Sequence, residues 1–222
     1  TRPSPQDIRK YSPPEYLPYR AAIQEESLWI KQWMRQRNIA KRVNQIEAAV
    51  STPPGRILDV GCSTGVFLDA MREAGWDTLG VEIAPEAAAY ARERFNLDVL
   101  PGQLLDHQFQ SGSFDAITFW DVLEHTFYPF KNLIEANRLL KKGGIIALTI
   151  PHWESIDRKV FGQAWIGFDA PRHLYVFPRE TLFSMLEASG FQIEKAWTGL
   201  GGYYTLLASL RLWLKIHLPT HK

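Results

Sequence analysis

From residue 56 onward, short apolar runs alternate with stretches in which apolar residues recur every three or four positions. The runs lie near 56–60, 78–83, 98–101, 114–120 and 144–150, and the periodic stretches near 65–74, 85–95 and 130–140. Strands buried on both faces read as continuous apolar runs, whereas helices lying on a sheet show a one-sided stripe. The alternation therefore predicts an α/β fold built of right-handed crossovers: a mostly parallel, twisted sheet with helices on both faces. Ligands of such sheets bind beyond the carboxyl ends of the strands, where Gly61, Glu82, Gly102 and Asp121 fall.

The flanks of this region follow other patterns. Residues 1–20 carry Pro3, Pro5, Pro13, Pro14 and Pro18 among three tyrosines and read as an extended arm. Residues 21–50 place Ile23, Trp29, Ile30, Trp33, Ile39, Val43 and Ile46 at mostly helical spacing, and Pro53-Pro54-Gly55 ends the run. Between Ile150 and Pro178 the periodicity breaks into an aromatic insertion with Trp153, Phe161, Trp165, Phe168, Tyr175 and Phe177. Leaving the end of the fifth strand, such a long loop is expected to cover the ligand and to move with it. A helix over 179–189 and a strand over 191–197 follow. Residues 203–218 then form a helix apolar over most of its circumference, with Arg211 and Lys215 one turn apart. Its own domain, a second copy of the chain, or a membrane surface can cover that face, and all three readings stay open. The expected division is 1–50 as arm and covering helix, 51–200 as ligand-binding domain with its insertion at 151–178, and 201–222 as terminal helix.

The most specific chemistry lies after the first strand. Asp59-Val60-Gly61-Cys62-Ser63-Thr64-Gly65 follows Arg56-Ile57-Leu58, and Glu82 closes the second apolar run. A strand, a glycine-bearing turn, a helix and a second strand ending in a carboxylate together grip a nucleoside, because the carboxylate accepts hydrogen bonds from ribose hydroxyls. A dinucleotide fingerprint needs glycine at its first, third and sixth positions. Counting from Gly61, this chain has Ser63 third and Val66 sixth, which argues against a nicotinamide-dependent oxidoreductase.

The turn resembles the first motif of the class I S-adenosylmethionine-dependent methyltransferases, Asp/Glu-x-Gly-x-Gly-x-Gly, with Ser63 in place of the middle glycine. The likeness extends to Phe114-Asp115-Ala116-Ile117-Thr118-Phe119-Trp120-Asp121-Val122-Leu123-Glu124-His125, similar to the family's fourth strand and its exit. It extends also to Asn132 through Gly144, similar to the helix and turn before the fifth. The resemblance implies a Rossmann-like fold, S-adenosyl-L-methionine as cofactor and S-adenosyl-L-homocysteine as product. It further implies that Asp59 orients the turn and that Gly61, Cys62, Ser63 and Gly65 line the methionine and ribose. Glu82 would take the ribose hydroxyls, Ile83 would pack on adenine, Gln103 and Leu104 would meet the adenine edge, and Trp120 would flank the methionine. Relatives of this type sometimes carry a zinc-binding module upstream, and this chain begins without methionine.

Methyl transfer to a hydroxyl benefits from a base, and His125 and His173 are the candidates, with Tyr175 and Asp169 in reserve. For both histidines a purely structural role, holding a loop, stands beside the catalytic one. Thr118-Phe119-Trp120-Asp121 replaces the Asn-Pro-Pro-aromatic motif of DNA amino-methylation, and Cys62 is committed to the turn. A small-molecule methyl acceptor remains, through oxygen or less readily nitrogen or carbon, beside a nonenzymatic module that only binds the cofactor. With one cysteine among 222 residues there is no intrachain disulfide or zinc cluster, and clustered carboxylate ligands cannot be assembled from the sequence, so no metal is expected. Net charge +1 provides no field for nucleic acid, although Lys31, Arg35, Arg37, Lys41 and Arg42 form a local basic run read as a solvated helix face. No apolar run reaches the ~18–20 residues of a membrane span, and the expected compartment is the cytoplasm.

Overall fold

The structure is a computed structural model that describes residues 29–198 and 203–217. Its elements are α1 (Trp29–Ala49), β1 (Arg56–Val60), α2 (Val66–Glu73), β2 (Asp77–Glu82), α3 (Pro85–Phe95), β3 (Val99–Pro101), β4 (Phe114–Trp120), α4 (Pro129–Leu139), β5 (Leu140–Thr149), α5 (Ile156–Phe161), α6 (Arg179–Ala188) and α7 (Tyr203–His217). The described residues fall into two compact units. One comprises the chain up to Val122 together with Ile134–Thr149; the other comprises Leu123–Leu133 and the chain from Ile150 onward.

The first unit holds a five-stranded sheet in the order β3-β2-β1-β4-β5, with every pairing parallel. The strand order reverses between β1 and β4, and at such a point the connections leave the two carboxyl ends in opposite directions and open a crevice. Ile57, Leu58, Ala116, Ile117 and Phe119 are fully buried, as continuous apolar runs require. Phe67, Leu68 and Met71 present the buried stripe of α2, and α3 approaches closely because its buried stripe is Ala87, Ala88 and Ala91. Val43, Ile46 and Val50, at the carboxyl end of α1 and just beyond it, join the same core.

In the second unit, Ser209 of α7 is fully buried, and its Oγ accepts the Ile166 N–H at 3.0 Å. The terminal helix thus packs on its own unit, against α5 and the 3₁₀ turns that follow it. Leu206, Leu207, Leu210, Leu214 and Ile216 nevertheless stay exposed. No described helix is long and apolar enough to cross a membrane.

Three expectations change. The strand over 191–197 is absent: these residues are mostly exposed and pair with no ladder among the described residues. The insertion is more ordered than its irregular sequence suggests, with α5 capped by Ser155, whose Oγ accepts the Arg158 N–H at 3.2 Å, and 3₁₀ turns at Gly162–Ala164 and Ile166–Phe168. Its aromatic residues mostly pack on one another, Phe168 lying 5.3 Å from Trp165 and 6.1 Å from Trp153 between ring centroids. β5 starts at Leu140 rather than 144, since an edge strand tolerates the polar Lys141-Lys142 that reads as a turn. The proline-rich arm over 1–20 and the start of the covering helix lie outside the described residues.

Candidate active site

The turn after β1 is built by backbone. Gly61 N–H and Cys62 N–H both donate to the Val81 carbonyl, at 2.7 and 3.2 Å, which fastens the turn to β2. Gly61 and Gly65 have φ of 72° and 80°, and a Cβ at either would collide: with Val122 Cγ2 at 2.5 Å for Gly61 and with Leu97 Cδ1 at 2.7 Å for Gly65. Both positions therefore need glycine for conformation and for space. Ser63 also sits in the left-handed region, at φ 52°, where a side chain costs energy.

Glu82 closes the arrangement. Its Oε2 accepts the Ser63 N–H and its Oε1 the Ala84 N–H, each at 2.8 Å, and only 4% of the residue is exposed. Burial raises its pKa, opposed by the N–H donors of Ala84, Ser63 and Ile83. Because a carboxylate has about four lone-pair directions, these bonds leave capacity for hydroxyl donors. Asp59, 2% exposed at the end of β1, accepts the Thr118 hydroxyl at 2.6 Å. Burial pushes its carboxyl up to about 7; the Thr118 hydroxyl and Arg42 pull it down, and Glu82 adds to the rise.

The remaining nucleoside-side residues are placed unevenly. Cys62 is buried in the core, its Sγ filling the space a Gly80 side chain would occupy, and burial, with Asp59 and Glu82 nearby, raises its thiol pKa. Leu104 is likewise fully buried, so Cys62 and Leu104 can offer a ligand only their backbone. Gln103 is exposed and caps the 3₁₀ turn Leu104–Asp106, its own N–H donating to Asp106 Oδ2 at 2.7 Å. Ile83 is half-buried.

Trp120 meets Phe67 edge to face at 5.4 Å, and its buried Nε1 has no hydrogen-bond partner among the described residues. Arg42 lies 4.5 Å over the Trp120 ring and 3.6 Å from Asp121, itself at φ 57°. The sequence reading left Arg42 in a solvated basic run. Instead α1 carries this cation to the carboxyl end of β4, beside the Asp59 carboxyl. No local sequence signal separates it from its basic neighbours.

In the second unit, Glu124, His125 and His173 come together, each offering a ligand atom within 4.8 Å of the others. The sequence does not show this grouping, because His173 comes from a segment distant from Glu124 and His125. His125 Nδ1 lies 3.0 Å from the Arg172 carbonyl, and His173 Nδ1 lies 2.7 Å from the Gly167 carbonyl. The two rings meet edge to face at 4.6 Å. Asp169 is held by Arg172 through Nε to Oδ2 at 2.7 Å, and the Tyr175 hydroxyl donates to the Phe127 carbonyl at 3.2 Å. Both reserve candidates are thus engaged. Glu124 lies in the stretch that leaves the fourth strand, and its burial is not visible in the sequence.

A family model described as a methyltransferase domain matches residues 31–196, spanning sheet, turn and insertion. The chain belongs to that methyltransferase family. Membership agrees with the class I α/β fold and implies S-adenosylmethionine as methyl donor. Among curated relatives, a ubiquinone biosynthesis O-methyltransferase of Xanthomonas campestris is 34% identical over 118 residues, covering 49% of this chain and 48% of its own length. The chain thus spans about half the length of the first such relatives. A protein of the same name from Xanthomonas axonopodis is 31% identical over 169 residues, covering 69% of each chain. Among solved structures, a SAM-dependent methyltransferase of Archaeoglobus fulgidus superposes with TM-score 0.60 at 19% identity, covering 80% of this chain and 86% of its own. The cyclase SpnF superposes at 0.59 with 24% identity, covering 79% and 66%. At such identities the likeness concerns the fold.

Proposed function

We propose that this chain transfers the methyl group of S-adenosylmethionine to the oxygen of a small hydroxylated acceptor with apolar or aromatic character. The Glu82 carboxylate carries the reading: buried at the carboxyl end of β2, fastened to the turn, and with acceptor capacity left for a ribose hydroxyl. Gly61, Ser63 and Gly65 supply close-approaching backbone, Ile83 an apolar surface, and Gln103 an exposed amide for the adenine edge. Asp59 and Arg42 offer opposite charges for the ammonium and carboxylate of the amino-acid part. When bound, the sulfonium supplies an activated methyl group, so the protein's work is to align, to exclude water and to manage the acceptor's proton.

Oxygen as the methylated atom is supported by the names of the curated relatives. It is supported also by the proton-accepting groups gathered at Glu124, His125 and His173, four residues past Trp120 in the chain at their nearest. A hydroxyl becomes a good nucleophile only as it loses its proton, and that cluster is assigned the task. Incubation with methyl-labelled S-adenosylmethionine and panels of phenols, catechols and amines tests the reading: label should appear as an aryl methyl ether. Label on nitrogen alone would overturn the oxygen assignment.

A further inference from the structure

We infer that the exposed face of α7, with the neighbouring α5, docks on an anionic lipid membrane surface. At ~100° per residue, Leu206, Leu210, Leu214, Leu207 and Arg211 fall in that order along one arc of the helix. All five are exposed. The other side of α7 is already engaged, since Ser209 is fully buried and its Oγ accepts the Ile166 N–H at 3.0 Å. A helix pinned to its own unit along one side presents only the other, so it lies along a surface and does not enter end-on. α5, packed against α7, adds Ile156 and Val160, one turn apart and 66% and 65% exposed, with exposed Lys159 between them. Large apolar side chains gathered on one helix face, and not scattered singly, mark a contact surface.

Charge selects the occupant. From Lys195 to Lys222 the sequence holds four lysines and arginines and no aspartate or glutamate. The whole chain has a net charge of only +1, so the remainder is net negative. Arg211 stands at the edge of the leucine arc, and Lys215 follows one turn later in the sequence. Leucines that enter the acyl boundary, beside cations that stay among the headgroups, suit an anionic interface. A second copy would set Arg211 against its own counterpart, with no carboxylate in α7 to receive either. A nucleic acid would satisfy the cations and leave four leucines in water.

A chain held at a bilayer meets acceptors that partition into lipid. That consequence rests on the apolar acceptor class proposed above; the contact itself does not.

The full chain should be sedimented with sucrose-loaded vesicles of phosphatidylcholine alone and of equal parts phosphatidylcholine and phosphatidylglycerol. Binding to the mixed vesicles is expected to be at least ~10-fold tighter and to weaken as salt is raised. Arg211→Glu, and separately Leu207→Ser combined with Leu210→Ser, should each weaken it at least ~10-fold. S-adenosylhomocysteine binding held within about twofold shows that these surface variants stay folded. A Leu210→Cys variant carrying an environment-sensitive dye gives a second readout, because the native Cys62 is buried. Its emission should shift to the blue on mixed vesicles, which adsorption by charge alone does not produce. Absence of binding by the folded chain, equal binding to both vesicles, leucine variants that bind as before, or an unshifted dye would each overturn the contact. A lipid-free dimer that the leucine variant dissociates, seen by light scattering, would overturn it in favour of a second copy. Vesicle binding intact without methyl transfer to apolar hydroxyl acceptors would instead strike the acceptor reading and leave the contact standing.

Discussion

The Glu82 carboxylate receives N–H groups from Ser63 and Ala84, one in the same turn network and the other two residues along its own chain. The imidazoles of His125 and His173 donate instead to Arg172 and Gly167, on a segment with no regular ladder. In the sheet unit the backbone holds Glu82 through parallel pairing and the turn after β1. In the second unit, side chains bond to loop carbonyls whose positions depend on how the insertion packs. The first kind of site tolerates change in many side chains, because its frame is the ladder. The second is only as durable as its few side-chain bonds.

The sharpest break in this comparison is catalytic. His173→Ala should lower turnover by about 10²- to 10⁴-fold while leaving S-adenosylhomocysteine affinity nearly unchanged, since it removes proton management and spares the turn. Steady-state rates alongside calorimetry decide it, and equal loss of rate and affinity would join the two sites that are here kept apart.

A smaller effect comes from Asp59. Its folded pKa is raised to about 7, so between roughly pH 4 and 7 the unfolded chain loses a proton that the folded chain keeps. Stability from this group is thus greatest at low pH, falls as pH rises through that window and levels off above it, by at most about 4 kcal/mol. Asp59→Asn, which still accepts from the Thr118 hydroxyl, should flatten the profile measured by denaturant titration at successive pH values. A cationic ligand group beside Asp59 would favour the ionised form. S-adenosylhomocysteine binding should accordingly release protons near pH 7 and tighten as pH rises.

Next comes Glu82→Ala, expected to weaken S-adenosylhomocysteine binding by about 1.5 to 3 kcal/mol, the scale of charge-assisted hydrogen bonds. Glu82→Gln separates the roles: an amide accepts through one atom only, so part of the loss should remain with the fold intact. The smallest effect tests the backbone frame itself. Ser63 occupies φ 52°, and Ser63→Gly should stabilise the free protein by up to about 1 kcal/mol in thermal or denaturant melts. A destabilised glycine variant would mean that the serine side chain holds the turn.

The contrast between the units also explains what could be read beforehand. β1, β4 and α3 fall where the apolar runs and stripes predict, because burial in a parallel sheet writes itself into consecutive residues. Positive φ at Ser63 follows from its place in a glycine motif. The supposed strand over 191–197 fails because its pattern says nothing about whether a pairing partner exists. Ser155-Ile156-Asp157-Arg158 is a capping signal that the surrounding aromatic residues obscured. Leu104 and Cys62 match a motif by position while pointing into the core, an orientation that motif spacing does not encode. The meeting of Glu124 and His125 with His173 depends on carbonyls of Gly167 and Arg172, and nothing local to any of them announces it.

The claim on which the rest depends is that the turn from Gly61 to Gly65, with Glu82, binds an S-adenosyl nucleoside. Isothermal titration of the full chain with S-adenosylhomocysteine and, separately, with NAD tests it most directly. The account predicts saturable one-to-one binding of S-adenosylhomocysteine and no heat from NAD. Preferential binding of NAD, or silence with both under conditions where the chain is folded, would contradict it.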